Sequence, residues 1–206
     1  MFTIYDDSTN QYDEVEEPDA SYEYSYADYL QWKFEERVEL IRGRIMKMTA
    51  PNRKHQDISR DISLKLGFFL KNKKCKMYAA PFDVRLPRKN NLKDEDIITV
   101  VQPDLCVICD ERKLDDKGCI GAPDLVIEIL SPGNSKREVR LKYELYEEAG
   151  VKEYWIINPV EENIAVFTIN DHGAFDGAKL YAADDTIDSK AIDGFQISVS
   201  DIFQTN

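Results

Sequence analysis

The sequence predicts an α/β fold whose central strands are buried on both faces. Three features predict it: an amphipathic helix in the first half of the chain, a set of β-branched and aromatic runs, and a strand–helix–strand unit in the second half. In that unit, the apolar runs DLVIEIL and EYWII are typical of strands covered on both sides. The segment SKREVRLKYELYEEAG between them predicts a helix that ends at Gly150, so the unit is a crossover between two strands.

A short helix and a pair of strands are predicted near the start of the chain. Ser25 and Asp28 have the spacing of a capping box, which favours a helix through about Phe34. The run ELIRGRIMKM predicts two short strands that turn at Arg42 and Gly43.

An amphipathic helix and five strands follow. The stretch HQDISRDISLKLGFFLKN, which begins at His55, has apolar residues at spacings of three and four, namely Ile58, Ile62, Leu66, Phe69 and Leu70. Runs bounded by Pro, Gly, Asn or Asp predict the strands KMYAAPFDVRLPR, VVQPDLCVICD, APDLVIEILS, EYWIINP and NIAVFTIN. The final run, AIDGFQISVSDIF, predicts another strand and a short terminal turn.

The chain has 206 residues and a net charge of −12, which is distributed unevenly. Residues 1–20 are acid-rich and lack an apolar period, so we expect an acidic flexible extension, with residues 21–206 forming a single domain. The extension is either a solvated tail or a flap over a basic groove. Residues 31–93 carry 17 bases and 6 acids, and they either line a track for nucleic-acid phosphates or form a solvated helix face.

Membrane, secreted and disulfide-rich classes are disfavoured. No run reaches the roughly 18 apolar residues of a membrane helix, and the first residues have neither a basic start nor an apolar segment. We therefore expect a cytoplasmic protein. Its four cysteines do not form a disulfide scaffold, and Cys75 is expected to stand alone. Cys106 and Cys109 have zinc-ligand spacing but would point to opposite faces of a strand, which disfavours zinc.

Three acids are candidates for a metal site. Glu128 interrupts an apolar strand, where a buried carboxylate needs a cation, a hydrogen-bond donor or a metal. Asp104 lies at the mouth of a second apolar strand, and Glu39 lies where the first helix gives way to a strand. Convergence of such acids favours a hard divalent cation such as Mg²⁺. The alternative is that each acid pairs with an arginine or caps a loop.

A series of motifs runs from about Tyr22 to about Ile202. They are ERVELIRGRIMKM, the helix that begins at His55, APFDVRL, VVQPDLCVICD, GCIGAPDLVIEILSPGNSKREVRLKYELYEEAGVKEYWIINP and NIAVF. In this order they resemble the Uma2 (DUF820) family of restriction-endonuclease-like proteins. The resemblance implies the fold of the PD-(D/E)XK nuclease superfamily, a mixed β-sheet flanked by α-helices, and Mg²⁺-dependent cleavage of DNA.

The resemblance also implies catalytic acids. They fall on Glu39, from the N-terminal helix region, on Asp104 and on Glu128. In nucleases of this fold, a lysine two residues after the last acid stands on the same face and orients the attacking water. That position is Leu130 in this chain, which departs from the superfamily pattern.

A replacement lysine is expected from the helix that follows. Lys136 and Lys142 both flank the face that packs on the sheet, and the resemblance favours Lys142. The alternative is that Lys142 forms only an ion pair with Glu138, four residues earlier on the helix.

The resulting hypothesis is a Mg²⁺-dependent DNA endonuclease. Asp104, Glu128 and the backbone carbonyl of Ile129 are expected to hold Mg²⁺, for which Mn²⁺ substitutes. Glu39 would bind a second ion or a water of the first, and Lys142 would position the attacking water. A homodimer is expected by analogy, because cutting two strands is commonly a task for two sites.

Two alternatives to this hypothesis remain open: a catalytically decayed member, and an acidic regulator that resembles nucleic acid in charge, which would require residues 1–20 to be ordered on the basic segment. Leu130 and the acidic total favour a catalytically decayed member that binds DNA or a protein partner. His55, near a helix N-terminus, either contacts phosphate, acts as an acid or base, or is a surface or capping residue.

Overall fold

The computed structural model describes residues 2–6, 11–15, 21–32, 36–88 and 92–203. Within the expected extension over residues 1–20, strands β1 (Phe2–Asp6) and β2 (Gln11–Val15) pair antiparallel. The rest of that segment lies outside the described residues.

The described part of the first half of the domain contains two helices and six strands. In chain order they are α1 (Tyr26–Tyr29), β3 (Val38–Ile41), β4 (Arg44–Lys47), α2 (Arg53–Leu70), β5 (Lys76–Ala79), β6 (Val84–Arg85), β7 (Val100–Val101) and β8 (Leu105–Ile108).

The second half contains eight strands and two helices among the described residues. They are β9 (Leu114–Asp115), β10 (Gly118–Ile120), β11 (Leu125–Ile129), α3 (Lys136–Ala149), β12 (Glu153–Asn158), β13 (Asn163–Thr168), β14 (Lys179–Tyr181), β15 (Thr186–Asp188), β16 (Gln196–Ser198) and α4 (Ser200–Phe203). Short 3-10 helices cover Asp94–Asp96 and Glu111–Lys113.

Two six-stranded sheets form the body of the domain. The first has the order β14-β13-β12-β11-β8-β5, in which only β11 and β12 are parallel. The second has the order β4-β3-β7-β6-β10-β9. Helix α3 connects β11 to β12, so the predicted crossover is confirmed and its two strands lie at the centre of the first sheet. Gly150 ends α3 with a φ of 81°, as its position in the sequence predicted.

Helix α2 matches the sequence prediction closely. Its N-terminal cap is the side chain of Asn52, and its buried residues recur at spacings of three and four. They pack with one face of the central strands, including Leu125, Ile127 and Ile129, in a single apolar cluster. The opposite face of β11 carries Val126, which packs with Tyr146 of α3. Glu128 alternates with Ile127 and Ile129, so it points towards α3 rather than α2.

The first helix is shorter than predicted. The capping box of Ser25 and Asp28 is present, but α1 ends at Tyr29, and residues 33–35 lie outside the described residues. Strands β3 and β4 are paired as predicted, and both turn residues have positive φ, 50° for Arg42 and 74° for Gly43. These are the conformations of a tight strand-to-strand turn.

Two of the predicted strands are each divided between the two sheets. KMYAAPFDVRLPR contains β5 and β6, which are separated at a cis peptide bond between Ala80 and Pro81. VVQPDLCVICD contains β7 and β8, which are separated by the QPD segment. The chain therefore passes from one sheet to the other at each proline, because proline donates no ladder hydrogen bond.

The expectation that Cys75 stands alone is wrong. Cys75 and Cys109 form a disulfide bond. Strands β5 and β8 pair antiparallel with Lys76 opposite Ile108. Because Cys75 precedes Lys76 and Cys109 follows Ile108, the two cysteines lie side by side. Cys106 and Cys119 are buried free thiols. None of the helices in the described segments is long and apolar enough to cross a membrane.

Candidate active site

Asp104 and Glu128 are brought to one edge of the first sheet by the pairing of β8 with β11. The two strands run antiparallel with Leu105 opposite Ile127, so the start of β8 lies beside the end of β11. The Ile129 backbone N–H donates to Oδ2 of Asp104 at 2.8 Å. The carboxylate of Asp104 is therefore held against the strand that carries Glu128.

Glu39 reaches the same place from the second sheet. It lies within β3, not in the helix region where its motif was expected. The backbone N–H of Gln102 donates to Oε1 of Glu39 at 2.8 Å. Because Gln102 lies between β7 and Asp104, one short segment orients acids from both sheets.

Lys142 joins the acids from the two sheets. Its Nζ donates to Oε1 of Glu39 at 3.0 Å and to Oε1 of Glu128 at 2.9 Å. Burial alone would lower the pKa of Lys142, but these two carboxylates outweigh it and raise the pKa above its ordinary value. The ammonium group is therefore charged and is shared by the carboxyl groups of Glu39 and Glu128.

The alternative pairing of Lys142 with Glu138 does not occur. Glu138 forms a capping box with Ser135 at the start of α3, accepting from the Ser135 backbone N–H at 2.8 Å. Lys136 lies in the first turn of the same helix and is exposed. Of the two candidate lysines, Lys142 is the one that contacts the acids.

Glu128 is buried beside other charged groups. Burial, reinforced by the negative charges of Asp104 and Glu39 and opposed by Lys142, raises the pKa of Glu128 to about 7. The hydroxyl of Tyr146 donates to Oε1 of Glu128 at 2.6 Å. Burial and the same carboxylate raise the pKa of Tyr146 well above its ordinary value, so the hydroxyl remains a donor.

A cavity of about 110 Å³ connects these residues. Its lining includes Glu39, Asp104, Glu128, Ile129 and Lys142. Each acid uses a single carboxylate oxygen for its hydrogen bonds to the described residues, and its second oxygen accepts none from them. Leu130 also lines the cavity, so a hydrocarbon side chain occupies the position of the usual lysine.

The oxygen-rich lining fits a hard cation through a small number of direct ligands. Over the described residues, no group of three or more His, Cys, Asp and Glu side chains is arranged to hold a metal ion. Mg²⁺ is usually bound by only one or two carboxylates, with water and substrate phosphate completing its shell. Asp104 and Glu128, beside the backbone of Ile129, have the chemistry of such a partial ligand set.

His55 has a role that sequence reasoning missed. Its backbone N–H donates to the side chain of Asn52, as expected of a residue in a capped first turn. Its ring Nε2 lies 3.1 Å from Oδ2 of Asp104, and only 6% of the residue is exposed. The missed signal is that His55 lies on the same helical stripe as Ile58 and Ile62, which faces the sheet.

The chain is similar to known proteins in sequence and in fold. The family model described as "Uma2: Putative restriction endonuclease" matches residues 26–200. The uncharacterized protein slr1290 of Synechocystis is 27% identical over 181 residues, which cover 86% of this chain and 90% of that relative. A crystal structure of "a putative nuclease belonging to DUF820" from Anabaena variabilis aligns with this chain at a TM-score of 0.70 and 20% sequence identity. The alignment covers 87% of this chain and 97% of the Anabaena chain. The predicted α/β fold, a mixed sheet flanked by helices, is confirmed.

Proposed function

The chain belongs to the Uma2 family, and we propose that it is a divalent-metal-dependent endonuclease that hydrolyses phosphodiester bonds in DNA. One observation carries this proposal. Lys142 bridges Glu39 and Glu128 in a cavity that also contains Asp104, and each acid keeps an oxygen without a hydrogen bond to the described residues. Three acidic side chains, a cation and a hydroxyl donor around one cavity form a set suited to phosphoryl chemistry.

Asp104 and Glu128 are the proposed ligands of Mg²⁺, together with the backbone carbonyl of Ile129. When bound, such an ion neutralises charge on a phosphodiester and lowers the pKa of water. The hydrogen bond from the Ile129 N–H holds the Asp104 carboxylate in place, and the Tyr146 hydroxyl does the same for Glu128. Mn²⁺ is expected to substitute for Mg²⁺, because it also prefers oxygen ligands.

Lys142 is the proposed positioning group for the attacking water. Its ammonium donates to Glu39 and Glu128, and one further N–H remains for a water or a phosphate oxygen. Its positive charge would stabilise the negative charge that develops on the phosphate in the transition state. Glu39 fixes the ammonium from the second sheet and is proposed to bind a second ion or a water of the first.

A second candidate function is a binding module that has lost catalysis. Leu130 favours it, because this side chain cannot orient water and lies on the cavity wall. The net charge of −12 also weakens the electrostatic attraction to a polyanion. Such a module would retain the fold and bind DNA or a protein partner without cleaving DNA.

Nicking of supercoiled plasmid by the purified protein separates the two functions. We expect nicking that requires Mg²⁺ or Mn²⁺ and is lost in the isosteric variants Asp104→Asn and Glu128→Gln. Glu144→Gln on α3, where the acid pairs with Arg140 on the surface, is the matched control and should retain nicking. Equal nicking by all variants would overturn the assignment, and DNA binding without nicking by the unaltered protein would support the module.

The proposal also includes a homodimer and a cytoplasmic location. Cleavage of both strands of a duplex is commonly divided between two sites, which is the reason for expecting two copies. Light scattering after size-exclusion chromatography measures the mass directly, and a single chain of 23.8 kDa would contradict the dimer.

A further inference from the structure

A second cavity adjoins the candidate active site. It has a volume of about 70 Å³ and shares Met48, Thr49, His55 and Asp104 with the lining of the first cavity. Its other lining residues are Arg37, Pro51, Gln56, Ser59 and Ala80. We name it the Arg37 cavity. Asp104 therefore separates two spaces, one with the acids and Lys142 and one lined mainly by neutral and basic groups.

Arg37 brings to this cavity a positive charge that has no ion-pair partner among the described residues. Its Nε and one terminal nitrogen donate to Oε1 of Gln102 at 3.2 and 2.7 Å. Among the described residues, no carboxylate forms an ion pair with it, whereas Arg42, Arg85, Arg112 and Arg140 each pair with an acid. A neutral amide can orient a guanidinium without cancelling its charge, and the other terminal nitrogen remains free of described partners.

The orientation of Arg37 is fixed by the hydrogen bonds that hold the side chain of Gln102. The amide nitrogen of Gln102 donates to Oδ1 of Asp83 at 2.8 Å and to the hydroxyl of Tyr29 at 3.1 Å. The amide oxygen must therefore face Arg37. Because Gln102 also donates its backbone N–H to Glu39, the same residue links the guanidinium to the acids of the first cavity.

The other wall supplies further donors. Thr49, Gln56 and Ser59 contribute two hydroxyl groups and an amide. His55 lies between the two cavities, and its ring Nε2 contacts Asp104 rather than the Arg37 cavity's other groups. The start of α2, an 18-residue helix, lies at this wall, and helix N-termini favour anions.

We propose that the Arg37 cavity binds a backbone phosphate of the DNA strand, next to the phosphate at which cleavage occurs. This inference rests on the proposed nuclease function and assigns the substrate contact beside its site. A planar guanidinium with a free edge suits a phosphate, which accepts two parallel hydrogen bonds. A nucleic-acid strand presents phosphates in series, so a substrate that fills both cavities satisfies Lys142 and Arg37 together.

The test measures binding of a DNA duplex at several salt concentrations, with Ca²⁺ in place of Mg²⁺. Arg37→Ala should weaken binding about tenfold and reduce the slope of log affinity against log salt by about 0.9, the value for one phosphate contact. Arg37→Lys should keep the slope, because it keeps the charge, while losing part of the affinity. Arg112→Ala is the control. It removes one positive charge from a side chain that is 90% exposed and lies beyond the end of β8 that is opposite Asp104. It should change neither the affinity nor the salt slope.

Two results would overturn the proposal in distinguishable ways. If the unaltered protein nicks plasmid but Arg37→Ala keeps the full salt slope, the phosphate subsite is wrong while the nuclease function stands. If Arg37→Ala instead lowers the thermal midpoint or weakens Mn²⁺ binding while the salt slope stays unchanged, the only role of Arg37 is to hold Gln102 and Glu39 in position. If the unaltered protein neither nicks nor binds DNA, the proposed function fails and the subsite fails with it.

Discussion

Lys142 carries a partly buried ammonium group, with 18% of its side chain exposed, whose charge is shared by two buried carboxyl groups from different sheets. Removing one member of a buried charged group usually costs more than the group contributes, because the remaining charges stay buried without a partner. The cluster therefore links the proposed catalysis to stability. Substitutions in it have to be assayed for both.

Replacing Lys142 should destabilise the fold and abolish nicking. Lys142→Met leaves Glu39 and Glu128 without their cation, and we expect the free energy of unfolding at pH 8 to fall by about 3 kcal/mol. Urea denaturation measures this change, and plasmid nicking measures activity. Lys136→Met, on the exposed first turn of α3, is the control and should alter neither. An unchanged free energy of unfolding in Lys142→Met would show that the bridge contributes nothing.

The raised pKa of Glu128 predicts a pH dependence of two measurements. The folded protein binds this proton more tightly than the unfolded chain does, so the contribution of Glu128 to stability is present below the unfolded pKa and is lost as pH rises through about 7. A metal requires the deprotonated carboxylate, so its affinity changes in the opposite direction. Between pH 6 and pH 8 we expect Mn²⁺ affinity to rise roughly tenfold.

Calorimetric titration with Mn²⁺ and thermal unfolding without metal test this expectation. Glu128→Gln removes the titrating group and should flatten the pH dependence of the thermal midpoint over the same range. A Mn²⁺ affinity that is constant from pH 6 to pH 8 would contradict the assignment of Glu128 as a ligand.

At the scale of the elements, local sequence patterns predict the main helix and the central strands correctly. The stripe from Ile58 to Leu70 predicted α2, and the apolar runs on either side of α3 predicted the central strands. Glu128 was identifiable because a carboxylate in such a strand needs a partner. The helical period places both Lys136 and Lys142 beside the face that packs on the sheet, and only the family resemblance favours Lys142.

Features that depend on how strands meet were not accessible to sequence reasoning. The division of two predicted strands between sheets became clear only in the structure, although a proline marks each break. The disulfide between Cys75 and Cys109 depends on the register of β5 and β8. The contact of His55 with Asp104 likewise needs the docking of α2 on the sheet.

The proposal that Lys142 on α3 replaces the lysine expected at position 130 can be tested by reversing the exchange. Leu130 is two residues after Glu128 and lines the same cavity, so a lysine there should point towards the acids. We expect Leu130→Lys in the Lys142→Met background to restore nicking at least tenfold over Lys142→Met alone. Leu141→Lys, on α3 beside the lost lysine, is the comparison, and equal rescue by both would show that any nearby charge suffices.

For the whole molecule, we expect the charge distribution to affect the approach of the proposed DNA substrate. The total is −12, but residues 1–20 carry seven acids and no Lys or Arg, and residues 31–93 have an excess of bases. Most of the lining of the Arg37 cavity and the whole of α2 belong to the basic segment. We therefore expect attraction and repulsion of the proposed DNA substrate to come from different parts of one chain.

Removal of residues 1–20 should strengthen DNA binding. The deletion removes seven negative charges and ends before residue 26, where the match to the family model starts. We expect a several-fold gain in affinity at 50 mM salt that disappears at 500 mM, because salt screens the repulsion. Fluorescence anisotropy with a labelled duplex measures it. A gain that persists at high salt would instead indicate a segment that covers the site directly.

The central claim is that Asp104 and Glu128 hold one divalent ion in the cavity that Lys142 lines. Anomalous diffraction from a crystal soaked with Mn²⁺ tests it most directly, since the scattering locates the ion without reference to activity. The claim predicts a peak in contact with both carboxylates, which is lost in Glu128→Gln. A soaked crystal with Lys142 still bridging Glu39 and Glu128 and no peak beside Asp104 would contradict it.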